Sequence, residues 1–351
     1  MLLYLHIPYC DSKCHYCSFN SYTNKHNTKK EYTKAMIVQL KDNLQKYKVE
    51  PKSIETIFIG GGTPSTLSPD SYNEFFEIIT PYLKDGAEIT SEVNPNSASL
   101  EWLSGMKNHG VNRLSFGVQS FDELKLKQLG RAHDKNQAIE AIKLAKDVGF
   151  EHISLDLIYN ATGDTKELIK NDIDIAFSLP IDHISAYELT IEANTVFEHQ
   201  EEQKQTNDDL AFFVADEIKK RGFAHYEISN FGSYQSVHNK GYWELDNYLG
   251  IGAGAVGYIN GIRYYPSNDI DGYIANPLYT TNEHLSENDI LTEKIFLGLR
   301  SVMGVAKALL SKYSISKADY LVEQQKLILK DDKYYNPNFF ISDEIALYIM
   351  E

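Results

Sequence analysis

Cys10, Cys14 and Cys17 are the whole cysteine complement of this 351-residue chain. They stand in the run His6-Ile7-Pro8-Tyr9-Cys10-Asp11-Ser12-Lys13-Cys14-His15-Tyr16-Cys17, spaced C-x3-C-x2-C directly after the apolar stretch Leu2–Ile7. An odd count with no partner elsewhere argues against a closed disulfide set. Three thiolates on one tight loop suit a [4Fe–4S] cluster, whose full protein ligation needs four. With three, one iron keeps an open position for a substrate or cofactor. The same residues also permit a Cys3His zinc site with His15 or His6 as fourth ligand. The spacing alone leaves both readings open.

Other residues carry chemistry of a different kind. Gly60-Gly61-Gly62-Thr63-Pro64-Ser65 lets a backbone pass close to a ligand and adopt positive φ. Its carbonyls offer acceptors for an ammonium group and its amides offer donors for a carboxylate; the plainer reading is a turn. Glu92 and Asn94, ahead of Pro95, present polar tips that hold an amine or a ribose hydroxyl, or else cap a loop. Gln119 suits a purine edge or a carboxylate, and Ser120 beside it reads as a helix N-cap. Arg131 is able to grip a carboxylate with two parallel hydrogen bonds, or to lie solvated on the surface. Asp156 sits inside the apolar run Ser154–Tyr159 and needs a ligand or an internal partner, because a lone buried charge is costly.

These residues need a frame, and the chain supplies an alternating one. Strands are predicted at Leu2–Ile7, Ile54–Ile59, Glu88–Val93, Arg113–Val118, His152–Ile158 and His183–Leu189. Between them helices are predicted at 30–46, 69–83 with Ser68 as N-cap, 100–108, 122–129, 135–148 and 165–178. Such β-then-α units imply parallel strands joined by right-handed crossovers. The fold class is α/β, an incomplete (β/α)6 TIM-type barrel, with ligand groups at the carboxyl ends of its strands. The cysteines follow the first strand, the glycines the second, Glu92 and Asn94 the third and Gln119 the fourth; Asp156 belongs to the fifth. Residues 1–190 form the barrel in this reading and 191–285 an extension of it. Residues 286–351 form a C-terminal helical region that includes a small winged-helix-like α+β domain. Its hairpin is expected from Lys326–Leu329 and Phe339–Ile341, turning at Asp331–Asp332.

Composition excludes some functions. Hydrophobic residues make up 42 %, enough for a sizeable core. The net charge of −15 leaves no basic stripe for a nucleic-acid backbone, even beside a winged-helix-like module, and no polybasic grip on anionic lipid. No apolar run approaches the ~20 residues of a spanning helix. Met1 leads at once into strand residues, so no signal peptide is expected. The expectation is a soluble protein of a reducing cytoplasm.

Taken together, HIPYCDSKCHYC (6–17), GGGTPS (60–65), EVNP (92–95), RLSFGVQS (113–120), LGRAHD (129–134) and HISAYELT (183–190) resemble the radical S-adenosylmethionine superfamily over nearly the whole chain. Within it, the chain is similar to the branch holding oxygen-independent coproporphyrinogen III oxidases and HemW-type heme chaperones. The resemblance implies that Cys10, Cys14 and Cys17 hold a [4Fe–4S] cluster. It implies that S-adenosylmethionine chelates the open iron through its amino and carboxylate groups. Tyr4, Gly61, Gly62, Thr63, Glu92, Gln119, Arg131 and Asp156 would then line the S-adenosylmethionine pocket. In this superfamily an electron from the cluster cleaves the sulfonium bond and yields a 5′-deoxyadenosyl radical; whether the chaperone branch uses that radical is not implied.

Three features favour the chaperone branch. The oxidases carry a further cysteine two positions after the third, where this chain has Phe19. They also have a long extension ahead of the first strand. The segment His238-Asn239-Lys240-Gly241-Tyr242-Trp243 resembles the HNxxYW signature of heme chaperones. It implies heme on His238, with Tyr242 and Trp243 as flat apolar surface; from the residue alone, His238 is equally a hydrogen-bonded loop histidine. The implied partners are heme and the heme-accepting cytochromes of the respiratory chain, with at most a peripheral, transient membrane contact. The alternative is the oxidase itself, whose four-carboxylate substrate asks for a cluster of Arg and Lys. A third reading is a degenerate relative that binds neither cluster nor cofactor. The chain departs from the family at 160–165, where Asn-Ala-Thr-Gly-Asp-Thr replaces a Gly-Leu-Pro-Gly-like turn, and at 192–194, where Glu-Ala-Asn replaces Glu-Pro-Gly.

Overall fold

Apolar and polar side chains alternate along the first strands, and the alternation decides which face each strand turns to its helices. The computed structural model describes residues 1–351. It begins β1 (Leu2–Ile7), α1 (Lys29–Lys46), β2 (Ile54–Gly61), α2 (Asn73–Ile79), β3 (Leu83–Val93), α3 (Leu100–Asn108) and β4 (Arg113–Gln119). It continues α4 (Glu123–Gln128), α5 (Lys135–Val148), β5 (His152–Tyr159), α6 (Lys166–Phe177), β6 (His183–Glu188) and α7 (Asp208–Lys220). β1 to β6 lie side by side in chain order, each parallel to the next. This is the expected incomplete barrel, and its sheet does not close.

The later elements extend both edges of that sheet. They are β7 (Ala224–Glu227), β8 (Asn230–Gly232), α8 (Val237–Trp243), β9 (Tyr248–Ile251), β10 (Gly257–Ile259), β11 (Ile262–Pro266), α9 (Ile270–Ala275) and β12 (Thr280–His284). β9 runs parallel to β1, and β10 to β12 follow it antiparallel; β8 and β7 add antiparallel strands beyond β6. The result is one sheet of 12 strands. No helix is long and apolar enough to cross a membrane.

Leu3, Leu5, Ile57, Ile59, Leu114, Phe116 and Leu155 point outward into a core shared with the helices. Each such side chain stabilises the fold by about 1.5–3 kcal/mol when fully buried. The alternate positions turn inward, and there the barrel is polar: Thr56, Glu88, Thr90, Arg113, Ser115, Ser154 and His183 are all buried. α8 packs at the amino ends of the strands. The Glu88 carboxylate accepts from the backbone N–H of Val237 at 2.9 Å and of His238 at 3.0 Å, and from the Tyr234 hydroxyl at 2.7 Å.

The final residues form α10 (Glu287–Leu299), β13 (Val305–Ala306), α11 (Lys312–Glu323), β14 (Ile328–Lys330), β15 (Lys333–Tyr335) and α12 (Ser342–Met350) around a second core that includes Leu299, Leu321, Tyr334 and Ile345. The hairpin differs from expectation. Asp331 and Asp332 both have positive φ, 49° and 57°, which builds a two-residue turn and returns the chain at once. Its second strand is therefore Lys333–Tyr335. Phe339–Ile341 is instead a 3-10 turn that leads into α12, whose Ile345, Ala346 and Ile349 face the core.

Three other local expectations need correction. The stretch 69–83 is not one helix: Pro81 has no N–H to donate, α2 stops at Ile79, and Leu83 already belongs to β3. Ser68 caps nothing; its hydroxyl faces that of Ser71 at 3.1 Å. Ser120 is not an N-cap either. Asp122 caps α4 by accepting from the N–H of Lys125 at 2.9 Å, while Ser120 donates to Asp172 of α6 at 2.6 Å.

The loop after β5, where the chain departs from its family, is shaped by a buried ion pair. Lys125 Nζ lies 2.8 Å from Asp164, with side chains 3 % and 1 % exposed. The same ammonium donates to the Ile158 carbonyl at 2.6 Å, and Asp164 accepts from the N–H of Ala161 at 3.0 Å. Removing one partner strands a buried charge, so Lys125→Met is expected to cost about 3–5 kcal/mol in urea unfolding. A loss under ~1 kcal/mol would show that the pair does not hold the loop.

Candidate functional site

The carboxyl ends of β1 to β5 surround a cleft of about 690 Å³, counting its open mouth. One wall is the loop after β1, with Cys10, Cys14, Tyr16 and Cys17. β2 and the turn after it bring Gly61, Gly62 and Thr63; β3 and the residue after it bring Glu92 and Asn94. β4 brings Ser115, Gly117 and Gln119, β5 brings Asp156, and Arg131 reaches in from beyond α4.

The three cysteines are free thiols. Cys10 Sγ lies 3.5 Å from Thr63 Oγ1, and Cys14 Sγ accepts from Arg131 Nη1 at 3.1 Å. Burial pushes the Cys10 and Cys17 thiols up, and Lys13 pulls both partly back. Such thiols become ligands by losing their protons to a metal. Neither histidine of the zinc alternative is placed to help. His6 has both ring nitrogens bonded, to Tyr4 Oη and to the Asn20 carbonyl, each at 2.9 Å. His15 bonds the Gln128 carbonyl at 2.8 Å and sets its ring against Phe197.

The glycines line the cleft and also pack against the chain behind it. Gly61 has φ +115°, and a Cβ on it would stand 2.5 Å from the His6 ring; a Cβ on Gly62 would stand 2.8 Å from the Tyr9 carbonyl oxygen. Their close neighbour is the chain's own cysteine loop. The N–H of Gly62 donates to Ile7 at 2.8 Å, that of Thr63 to Tyr9 at 2.7 Å, and that of Gly61 to Glu92 Oε2 at 3.1 Å. These amides are consumed inside the protein and do not face a ligand carboxylate.

Across the cleft stand two carboxylates. Burial, then the nearby Asp156 charge, pushes Glu92 up to about 8. Burial pushes Asp156 up to about 6, against the pull of Ser185 and Arg113. Gln119 has a left-handed φ of 72° where the β4–β5 register slips, a strained backbone that aims its side chain at the pocket. Arg131 is largely engaged already: Nη1 holds Cys14, and Nη2 holds Asn94 Oδ1 at 2.9 Å and the Gly117 carbonyl. Its Nε has no partner, so part of the fork stays free to donate.

Two expected residues lie elsewhere. Tyr4 is no part of the cleft wall; its hydroxyl bonds His6 beneath it and its ring leans on Phe58. His238 is 0 % exposed at the opposite end of the barrel. Its Nδ1 meets Thr56 Oγ1 at 2.7 Å, its ring packs on Phe58 and Tyr242, and its Nε2 has no partner. Burial, then Arg113, pushes its pKa down to about 3. No porphyrin face reaches it in this conformation. Ser115 and Tyr16 went unread in the sequence. Alternation from Arg113 to Gly117 does place Ser115 inward; Tyr16 carries no signal beyond standing between two cysteines.

A model of the Radical SAM superfamily matches residues 4–176. Heme chaperone HemW of Bacillus subtilis is 37 % identical over 323 residues, covering 87 % of this chain and 84 % of that protein. The chain belongs to the HemW family of the radical SAM superfamily. Heme chaperone HemW of Lactococcus lactis is 34 % identical over 348 residues, 95 % of this chain and 90 % of that protein. Coproporphyrinogen III oxidase (HemN) from Escherichia coli, a radical SAM enzyme, shares the fold with a TM-score of 0.82 over 99 % of this chain and 89 % of that one, at 17 % identity.

Membership of the superfamily implies a [4Fe–4S] cluster and S-adenosylmethionine. The HemW-family cleft fits both. Three free thiols share one wall without converging as a single-ion site, which suits a multi-atom cluster better than zinc. The facing carboxylates suit the cationic groups of a sulfonium amino acid.

Two outcomes follow from this geometry. Gly62→Ala drives a methyl into Tyr9, so iron bound per chain after anaerobic reconstitution should fall several-fold while the far-ultraviolet spectrum stays unchanged; full iron loading would contradict the packing argument. The carboxylates give a pH dependence. Both fold with pKa values above those of free carboxylates, so their contribution to the stability of the empty protein is complete below about pH 4 and lost as pH rises through about 6 and then 8. A cationic ligand needs them charged. Affinity for S-adenosylmethionine should therefore rise from pH 6 to pH 8 in calorimetric titrations, and a flat profile would contradict the assignment.

Proposed function

We propose that this chain is a heme chaperone that carries a [4Fe–4S] cluster and S-adenosylmethionine and delivers heme to cytochromes of the respiratory chain from the cytoplasmic side. The observation that carries the proposal is its identity of 37 % to heme chaperone HemW of Bacillus subtilis across 87 % of this chain and 84 % of that protein. In this reading Cys10, Cys14 and Cys17 hold the cluster. Gly61, Gly62 and Thr63 fix the cysteine loop, and Glu92, Gln119, Arg131 and Asp156 orient S-adenosylmethionine against it. The chemistry that the bound pair supplies is one-electron cleavage of the sulfonium. The protein's part is to present the two carboxylates to the cationic groups, to hold Cys14 through Arg131, and to keep the cysteine wall partly buried.

The cleft's cations favour the chaperone over the oxidase. Lys13 and Arg131 are the basic residues lining it. Lys13 donates to the Phe19 carbonyl and the Ser21 hydroxyl, at 2.8 and 2.9 Å, and Arg131 is bound as described. Two cations already engaged this far are a poor match for the propionates of a four-carboxylate substrate. Reconstituted protein with S-adenosylmethionine and a reductant should release no protoporphyrinogen from coproporphyrinogen III under anaerobic conditions, yet should shift the Soret band of added heme and pass that heme to an apocytochrome. Protoporphyrinogen formation would favour the oxidase. Because His238 is closed off, His238→Ala should leave the Soret band unchanged while lowering stability by about 1–3 kcal/mol through the lost Thr56 bond and the space left behind. An altered band would mean that α8 lifts to expose a ligand.

A further inference from the structure

Among β1 to β6 the basic side chains are Lys84, at the exposed start of β3, and Arg113. Arg113 is 2 % exposed. Its Nη1 reaches Thr90 Oγ1 at 3.5 Å, its Nε has no partner, and it makes no ion pair. A guanidinium fully withdrawn from water with so little direct bonding has to be balanced by charge at slightly longer range.

The register identifies that charge. Arg113 lies level with Thr90 of β3 and His152 of β5. Two residues further along, Glu92 is level with Ser115; two residues further again, Asp156 is level with Gly117. In the other direction Glu88 is level with Thr56. Inward positions two residues apart are about 6.6 Å apart along a parallel strand. The guanidinium therefore stands between the carboxylate that holds α8 and the two that face the cleft. The remaining titratable groups turned toward it are Tyr4 and His6 of β1, His152 of β5 and His183 of β6. From beyond the barrel come Tyr226 of β7, Tyr234 in the turn ahead of α8, and His238 of α8. Burial pushes His6 down to about 4 and His238 down to about 3, and pushes His183 down as well. Those imidazoles are neutral at pH 7, so they bring no second cation.

We propose that Arg113 is a positioning residue that acts through Glu92 and Asp156, biasing both toward the charged form that a cationic sulfonium ligand requires. It touches neither ligand nor cluster. Two guanidiniums, Arg113 and Arg131, face three carboxylates, which leaves the interior short of positive charge; the sulfonium and ammonium of S-adenosylmethionine would make up the deficit on binding. The argument rests on the reading of the cleft as an S-adenosylmethionine site.

The test compares wild type with Arg113→Lys and Arg113→Gln, each reconstituted with its cluster, by calorimetric titration of S-adenosylmethionine from pH 6 to pH 9. Arg113→Gln should move the midpoint of the affinity profile up by about one pH unit, which is about tenfold in affinity on the acid side. Arg113→Lys should restore most of it. A folded Arg113→Gln protein with the wild-type midpoint, whatever its overall affinity, would overturn the proposal. If Arg113→Gln does not fold, the double variant Arg113→Gln/Glu92→Gln removes the charge together with its partner. Recovered thermal stability would then support the pairing and continued unfolding would overturn it. Wild type that fails to bind S-adenosylmethionine would overturn the reading of the cleft instead.

Discussion

Charge inside the barrel has to be answered inside the barrel. The outward faces of β1 to β6 are apolar and need nothing more than helices to cover them. The inward faces carry carboxylates, a guanidinium, imidazoles and hydroxyls out of water, where each unmatched group costs several kcal/mol. That requirement explains features that otherwise look unrelated. Glu88 is answered by the first N–H groups of α8, Glu92 by the N–H of Gly61, and Lys125 by Asp164. What stays only partly answered lies where a ligand belongs: Glu92 and Asp156, both with raised pKa values, and Arg131 with its free Nε.

The same constraint divides the barrel into two ends with different duties. At the carboxyl end the backbone of β2 clasps the exit of β1 through Gly62 to Ile7 and Thr63 to Tyr9. The cysteine loop is thereby fixed before any metal arrives, and the entropy of ordering it is already spent in folding. At the amino end α8 closes the interior, with Gly241 packed so tightly on Leu2 that a Cβ would stand 2.6 Å from it. His238 belongs to that closure. Its buried ring and its bond to Thr56 make it part of the plug, and the family signature around it is accounted for by packing: His238 on Phe58, Tyr242 on Tyr248, Trp243 on Tyr226.

Much of this was legible beforehand because periodicity is local. Strand alternation and helical spacing placed the six parallel strands within a few residues, and they put the cysteines, Glu92, Gln119 and Asp156 at one end of a sheet. The errors came where a neighbour distant in sequence decides the outcome. Ser120 reads as an N-cap, but Asp172 takes its hydroxyl and Asp122 caps in its place. The amides of the glycine turn read as donors for a ligand carboxylate, yet they are spent on Ile7, Tyr9 and Glu92. The stretch 234–276 carried no clear pattern, because β9 to β11 are short and join the sheet only through β9, which pairs with β1 more than 200 residues away.

The chain by itself determined the chemistry available here: three thiols and no others, a glycine turn, and carboxylates at strand ends. Residue type and spacing are properties of the covalent chain, so they survive without a fold. Only tertiary structure decided which of those groups are free to act. Tyr4, His238 and the amides of the glycine turn were all candidates, and each was taken up by an internal partner. Arg113 had no evident role, and the strand register sets it among Glu88, Glu92 and Asp156. The reason is that free energy in a buried site depends on distance and on exclusion of water, and neither is written in the order of residues.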